Sequence, residues 1–226
     1  ILGTRRLKHT HYQLKYRRLR CYAYTDTLFS SVKSLDQNTC GQVYVTDFGM
    51  TIFVPMRKRS DVSDTLETVF RSYGIFQGLI PDNAKELTEG DFARKAKQYG
   101  CPIMPVEAYT HNQNLAETGI KEIRRMFRRL MNSTGAPHVL WDHCMELVSK
   151  IRSNTSLPLF SLNGDTPLTV LTGDSPDISH LCQFSWYQRV WYIDNSPKSK
   201  LMPKKLGRYL GPSHDVGQIL CYKVLT

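Results

Sequence analysis

The sequence has 226 residues, 41% of them hydrophobic and 11% aromatic, which suits one ordinary core plus a smaller second unit and argues against intrinsic disorder. No apolar run approaches the length of a membrane span. The start at Ile1 lacks the apolar run and small-residue cleavage site of a signal peptide, so a soluble protein, cut from something longer, is expected. The formal net charge of +10 points to a polyanionic partner, because Lys and Arg gain free energy by releasing counterions from phosphates.

In chain order, residues 1 to 20 come first. They carry Arg5, Arg6, Lys8, Lys15, Arg17, Arg18 and Arg20 with no acid, and so hold most of the surplus charge. Such a run is either a solvated linker or a nucleic-acid arm. His9 and His11 stand too close together for a zinc site and have no Cys pair beside them. The six cysteines (Cys21, Cys40, Cys101, Cys144, Cys182 and Cys221) form no CxxC pair, and reduced, buried thiols are expected.

Residues 22 to 28, 42 to 47 and 50 to 56 are rich in aromatic and β-branched side chains and predict three strands, antiparallel if hairpins join them. Val62, Leu66, Val69 and Phe70 recur at helical spacing after Ser60, and that helix ends at Gly74. A short apolar run, Phe76 to Ile80, stops at Pro81 and is followed by Asp82. A helix over 90 to 99 and a strand over 102 to 106 come next. Leu115 to Met131 predicts a long amphipathic helix, and 138 to 152 another. This order is that of a ribonuclease-H-like α/β fold, with a mixed five-stranded sheet and flanking helices. Residues 154 to 180, rich in Ser, Asn, Gly, Asp and Pro, predict a connecting segment rather than a packed element. From 181 to 226, two aromatic and β-branched runs predict a small β-barrel or sheet. The expected organisation is a basic linker (1–20), an α/β core (21–153), a connector (154–180) and a β unit (181–226).

Three acids are hard to explain by packing. Asp26 interrupts the first strand, Asp82 follows the fourth, and Glu117 opens the long helix. A mid-strand position and a neighbouring strand's end can converge, and a crossing helix can add a third oxygen donor. Such carboxylates repel one another unless cations neutralise them, and hard divalent ions prefer oxygen ligands. Taken singly, each has a plain structural explanation: an exposed strand residue, a turn former beside Pro81, and a first-turn acid favoured by the helix dipole. The helix carrying Glu117 adds weight. At about 100° per residue, Lys121, Arg124, Arg125 and Arg128 fall around it, beside a stripe of Ile120, Ile123, Phe127, Leu130 and Met131. An acid flanked by cations suits work on phosphodiesters, and a solvated charged face gives the same pattern. Asp47 rivals Asp26 as first ligand.

The sequence resembles the integrase of Ty1/copia-type retrotransposons. The pieces are Tyr24 to Phe29, Gly41 to Asp47, Asp82 to Glu86 and Asn112 to Glu117, followed by Gly164 to Gly173, Ser175 to Leu181 and Gly207 to Pro212. They cover nearly the whole chain, and their shared order is what makes them specific. The resemblance implies a DDE catalytic core whose motif positions fall on Asp26, Asp82 and Glu117, with 34 residues between the last two. It favours Asp26 over Asp47. It also implies an SH3-like β unit after the core and an Asn114 that touches DNA. Ala84 stands where the family has Gly, and the prolines before Asn114 are missing; neither change removes a ligand.

The implied activity is metal-dependent 3′-end processing and strand transfer of element DNA into target DNA, with Mg²⁺ or Mn²⁺ on the three carboxylates. Lys121, Arg124, Arg125 and Arg128 would hold phosphates. The expected partners are double-stranded DNA and further copies of the chain, acting in the nucleus of a eukaryotic host after synthesis within a polyprotein. The alternatives are a decayed or domesticated DNA-binding copy and, from a different reaction class, a ribonuclease-H-type hydrolase.

Overall fold

The computed structural model describes residues 16–81, 85–104, 115–175, 177–193, 204–213 and 221–226, with side chains at 85 and 86 left out. Three strands, β1 (Tyr22–Phe29), β2 (Cys40–Thr46) and β3 (Thr51–Met56), form the expected antiparallel meander. A crossover through α1 (Val62–Ser72) brings β4 (Gly78–Pro81) alongside β1 in parallel, so the sheet order is β3-β2-β1-β4. The fifth strand is reduced, among the described residues, to one parallel bridge between Leu79 and Ile103. Further helices are α2 (Lys85–Thr88), α3 (Gly90–Gln98), α4 (Leu115–Thr134) and α5 (Trp141–Ser153).

Alternation along the strands divides the interior into two cores. On one face Ala23, Tyr44 and Ile52 meet Leu66, Val69 and Phe70 of α1 and Phe92 and Ala96 of α3. On the other, Leu28, Val43, Val45 and Phe53 meet Ile120 and Ile123 of α4 and Cys144, Leu147 and Val148 of α5. The predicted stripe of α4 is the one that turns inward: Ile120, Ile123 and Met131 are buried, and Phe127 and Leu130 pack against the same core. The turn into β4 needs Gly74, whose φ is +123° and whose Cβ would lie 2.7 Å from the Arg17 carbonyl oxygen.

Two expectations are corrected by packing. The end of the basic run belongs to the fold: Leu19 is buried, Arg18 donates to the Tyr99 and Gly100 carbonyls at 2.9 and 3.0 Å, and Arg17 pairs with Asp174 at 3.5 Å. The segment read as a connector carries α6 (Pro167–Thr172), whose Leu168 and Leu171 pack on the first core, and ends in the short α7 (Ser179–Cys182).

Beyond it, β5 (Arg189–Ile193), β6 (Lys204–Pro212) and β7 (Tyr222–Leu225) form a three-stranded antiparallel sheet. It shares the second core with α5 through Trp186, Leu210 and Leu225. Glu146 of α5 adds an electrostatic tie, accepting from Lys150 at 2.7 Å and from Lys223 of β7 at 3.0 Å. Four cysteines (Cys21, Cys40, Cys101 and Cys144) are buried thiols, whereas Cys182 is exposed and Cys221 half-buried. Burial pushes the thiols of Cys21, Cys101 and Cys144 up to about 12, far from the reactive thiolate range.

Candidate active site and nucleic-acid interface

Asp26 lies in the middle of β1, directly opposite Val43 of β2. Residues opposite one another in an antiparallel pair share a face. Asp26 therefore stands with Val43 and Leu28 on the side of the sheet covered by α4 and α5, half-buried. Its Oδ1 accepts from the Thr27 backbone N–H at 2.7 Å. On the reverse face, Thr25 and Thr27 are tied to the buried Gln42: its Nε2 donates to Thr25 Oγ1 at 2.6 Å, and Thr27 Oγ1 donates to its Oε1 at 2.8 Å. These bonds fix the strand on both sides of Asp26. An aspartate mid-strand is disfavoured by propensity, so its place here depends on the surrounding fold.

Glu117 is in the first turn of α4, exposed, and forms an ion pair with Lys121 at 2.8 Å one helical turn on. What lets α4 lie against the sheet is Gly119: a Cβ there would overlap the Cγ2 methyl of Val45. Val45 faces Tyr24 across the β1–β2 ladder, two residues from Asp26 and on the same face. The fold thus sets the helix bearing Glu117 over the face that bears Asp26.

The parallel ladder between β1 and β4 ends with Thr25 opposite Pro81. In the sequence, Asp26 follows Thr25 and Asp82 follows Pro81. Asp82 itself lies outside the described residues, as does Asn114.

Asp47, the rival first ligand, sits at the other end of β1. Its backbone N–H donates to the Tyr22 carbonyl at 3.3 Å, and its carboxylate receives the Tyr22 N–H at 3.5 Å, closing the hairpin end. Loss of solvation raises its carboxyl above the ordinary value, against the backbone N–H groups that lower it. Four residues of strand separate Tyr22 from Asp26, about 13 Å.

Lys121, Arg124, Arg125 and Arg128 line a single shallow depression on the outer side of α4, joined by Arg129, which sequence reasoning missed. Arg129 is four residues after Arg125 and so on the same side of the helix, one turn on. Arg125 is ion-paired with Glu122 at 2.7 Å. With Lys121 on Glu117, the remaining cations Arg124, Arg128 and Arg129 make this a strip of positive charge, suited to a polyphosphate backbone.

A second group of potential ligands was not foreseen. The side chains of Asp36, Asp142 and His143 place one ligand atom each within 4.8 Å of one another. Asp142 is buried at the start of α5, and both its oxygens are taken, by Asn38 Nδ2 at 2.7 Å and by the His143 backbone N–H at 2.9 Å. His143 Nε2 approaches Asp36 at 3.2 Å. These bonds fasten the β1–β2 loop to α5.

No protein-family model matches the sequence, and no curated protein does. Solved structures do match in fold. A chain of the simian T-cell lymphotropic virus intasome in complex with PP2A regulatory subunit B56 gamma is 14% identical, with a TM-score of 0.57 over 86% of this chain and 71% of that one. The catalytic core domain of HTLV-2 integrase, in complex with magnesium in a trimeric form, is 15% identical, with a TM-score of 0.50 over 66% of this chain and 95% of that one. The fold is that of retroviral integrase catalytic cores, a mixed α/β sheet of ribonuclease-H-like type with flanking helices.

Proposed function

We propose that this chain is the catalytic region of a Ty1/copia-type retrotransposon integrase, a polynucleotidyl transferase that trims the 3′ ends of element DNA and joins them to target DNA. The observation that carries the proposal is the placement of Asp26 and of the helix bearing Glu117 on one face of an integrase-type sheet, with a strip of cations beside them.

Asp26, Asp82 and Glu117 offer only carboxylate oxygens, the donor set that Mg²⁺ and Mn²⁺ prefer. A half-buried carboxylate among apolar neighbours, as Asp26 is, gains most from a cation. Ions held there would supply activation of a water or 3′-hydroxyl and stabilisation of the leaving oxygen at a phosphodiester. Lys121, Arg124, Arg125, Arg128 and Arg129 bind the phosphates and fix the register of the duplex, and Asn114 contacts DNA beside the acids. Magnesium in the HTLV-2 core and the trimeric form of that protein support a divalent ion and a homo-oligomer here. Action in the nucleus of a eukaryotic host belongs to the same reading.

The test is an oligonucleotide joining assay with Mg²⁺ or Mn²⁺. The unmodified chain joins, whereas Asp82→Ala abolishes joining and leaves DNA binding intact. An active Asp82→Ala protein overturns the assignment. A second reading is a decayed or domesticated copy that binds DNA without catalysis, suggested by Ala84 where the resembled family has Gly and by the missing prolines before Asn114. DNA binding with no joining at any divalent-ion concentration selects it.

A further inference from the structure

One face of the C-terminal sheet leaves large apolar side chains exposed between cations. Alternation places Arg189, Trp191 and Ile193 of β5 on one side, and the register sets Arg208, Leu206 and Lys204 of β6 directly opposite them. Trp191 is 69% exposed, Ile193 52% and Leu206 49%, so three large apolar side chains meet water in adjoining positions. Arg189 and Arg208 bound them at one end and Lys204 at the other, and no acid interrupts the six. The Arg208 guanidinium is held in place, 4.6 Å over the Tyr187 ring and donating to the Tyr187 carbonyl at 3.1 Å. Soluble proteins seldom leave such a patch open without a use for it.

We propose that this face binds an extended acidic segment of another protein, with apolar side chains at its centre and a carboxylate at each end. The cations at the two ends of β5 and β6 stand four residues apart, about 13 Å. An extended chain spans the same distance between positions i and i+4. Its carboxylates therefore meet Arg189 and Arg208 at one end and Lys204 at the other, while the side chain between them covers Trp191 and Leu206. A nucleic acid satisfies the cations and can stack on Trp191. It leaves Ile193 and Leu206 beneath a charged backbone, where aliphatic surface gains nothing, so the apolar pair favours a peptide.

The chain provides its own reporter. It has three tryptophans, of which Trp141 and Trp186 are buried and Trp191 is exposed. Long-wavelength emission thus comes from the proposed surface. The probe is a capped peptide, Glu-Thr-Leu-Thr-Glu, titrated into the full chain, with the Lys-Thr-Leu-Thr-Lys peptide and a short oligothymidine as controls. The acidic peptide shifts the emission to shorter wavelength, and the lysine peptide does not. Trp191→Phe removes the signal. Arg189→Glu with Lys204→Glu weakens binding roughly tenfold, since attraction becomes repulsion at both ends, while the buried-tryptophan emission stays unchanged and reports an intact fold. Equal binding of the lysine peptide, a response to oligothymidine alone, a shift that follows protein concentration without peptide, or no response to any probe each overturns the proposal.

Discussion

Gly119 on α4 and Val45 on β2 approach so closely that a single added methyl would overlap the Val45 Cγ2. Two opposing effects meet at this position. Alanine in place of glycine favours a helix interior by about 1 kcal/mol. Overpacking against a β-branched neighbour locked at χ1 costs about 1–3 kcal/mol. The clash wins because Val45 is itself buried, in the core beneath α4. Gly119→Ala is expected to lower thermal stability and to impair joining more than DNA binding, since Glu117 moves with the helix. Val45→Ala added to it restores part of the stability in a melting experiment; a double variant no better than the single one rejects the contact as the cause.

The two candidate first ligands separate cleanly. Asp26→Asn is expected to abolish joining with the melting temperature nearly unchanged, because its partner at 2.7 Å is a local backbone N–H that an amide oxygen also accepts. Asp47→Asn is expected to retain joining. Loss of solvation raises the Asp47 carboxyl, and a group so raised weighs against folding once ionised. The amide removes that charge and leaves stability equal or slightly higher at neutral pH. Inactivity of Asp47→Asn with activity of Asp26→Asn exchanges their roles.

Glu146 predicts an acid limb in the stability profile. Burial raises its carboxyl, but the Lys150 and Lys223 ammonium groups more than offset this and bring it down to about 2. The folded value thus lies below the ordinary one of 4.5, so the stabilisation is complete above that pH and drains away as the pH falls towards 2. Its ceiling is ~3 kcal/mol. Denaturant melts between pH 6 and 3 are expected to show the loss in the natural chain. Glu146→Gln, less stable at pH 6, shows a flatter profile, and parallel profiles for the two rule the residue out as its source.

The cationic strip on α4 predicts a salt dependence. Each of Arg124, Arg128 and Arg129 that neutralises a phosphate contributes about 0.9 to the slope of log affinity against log salt. Alanine at Arg124, Arg128 and Arg129 together is expected to reduce the slope by about 2–3 and to weaken binding to all sequences alike. Lys121 and Arg125 contribute less than the three arginines, being paired with Glu117 and Glu122. An unchanged slope moves the DNA to another surface.

The fold was largely legible because its strongest elements are amphipathic or β-branched over long stretches. The meander and α4 follow from residue type alone, and the buried stripe of α4 is the one its periodicity predicts. The strand position of Asp26 was legible too, as an acid within a β-branched run. Three features were not. The tail of the basic run looks solvated until Arg18 is seen on the Tyr99 and Gly100 carbonyls, bonds that span some eighty residues of sequence. Arg129 was passed over at the edge of the cationic strip. And α6 was masked by polar composition, although its signals were present: Thr166 caps the helix by accepting from the Thr169 N–H at 3.2 Å, Pro167 takes the first helical position, and Gly173 closes it at φ +73°.

Trp186, Leu210 and Leu225 lie in the same core as α5, and Lys223 reaches Glu146 across the junction. The C-terminal sheet is therefore a lid on a helix, and its removal has a consequence for anyone who handles the protein. A fragment cut before Ser179 would open the flank of α5 around Leu147 and Val148 to water, strip one of the two ammonium groups from Glu146, and present a sticky surface where the whole chain has an interior. The shorter protein would be the harder one to keep in solution.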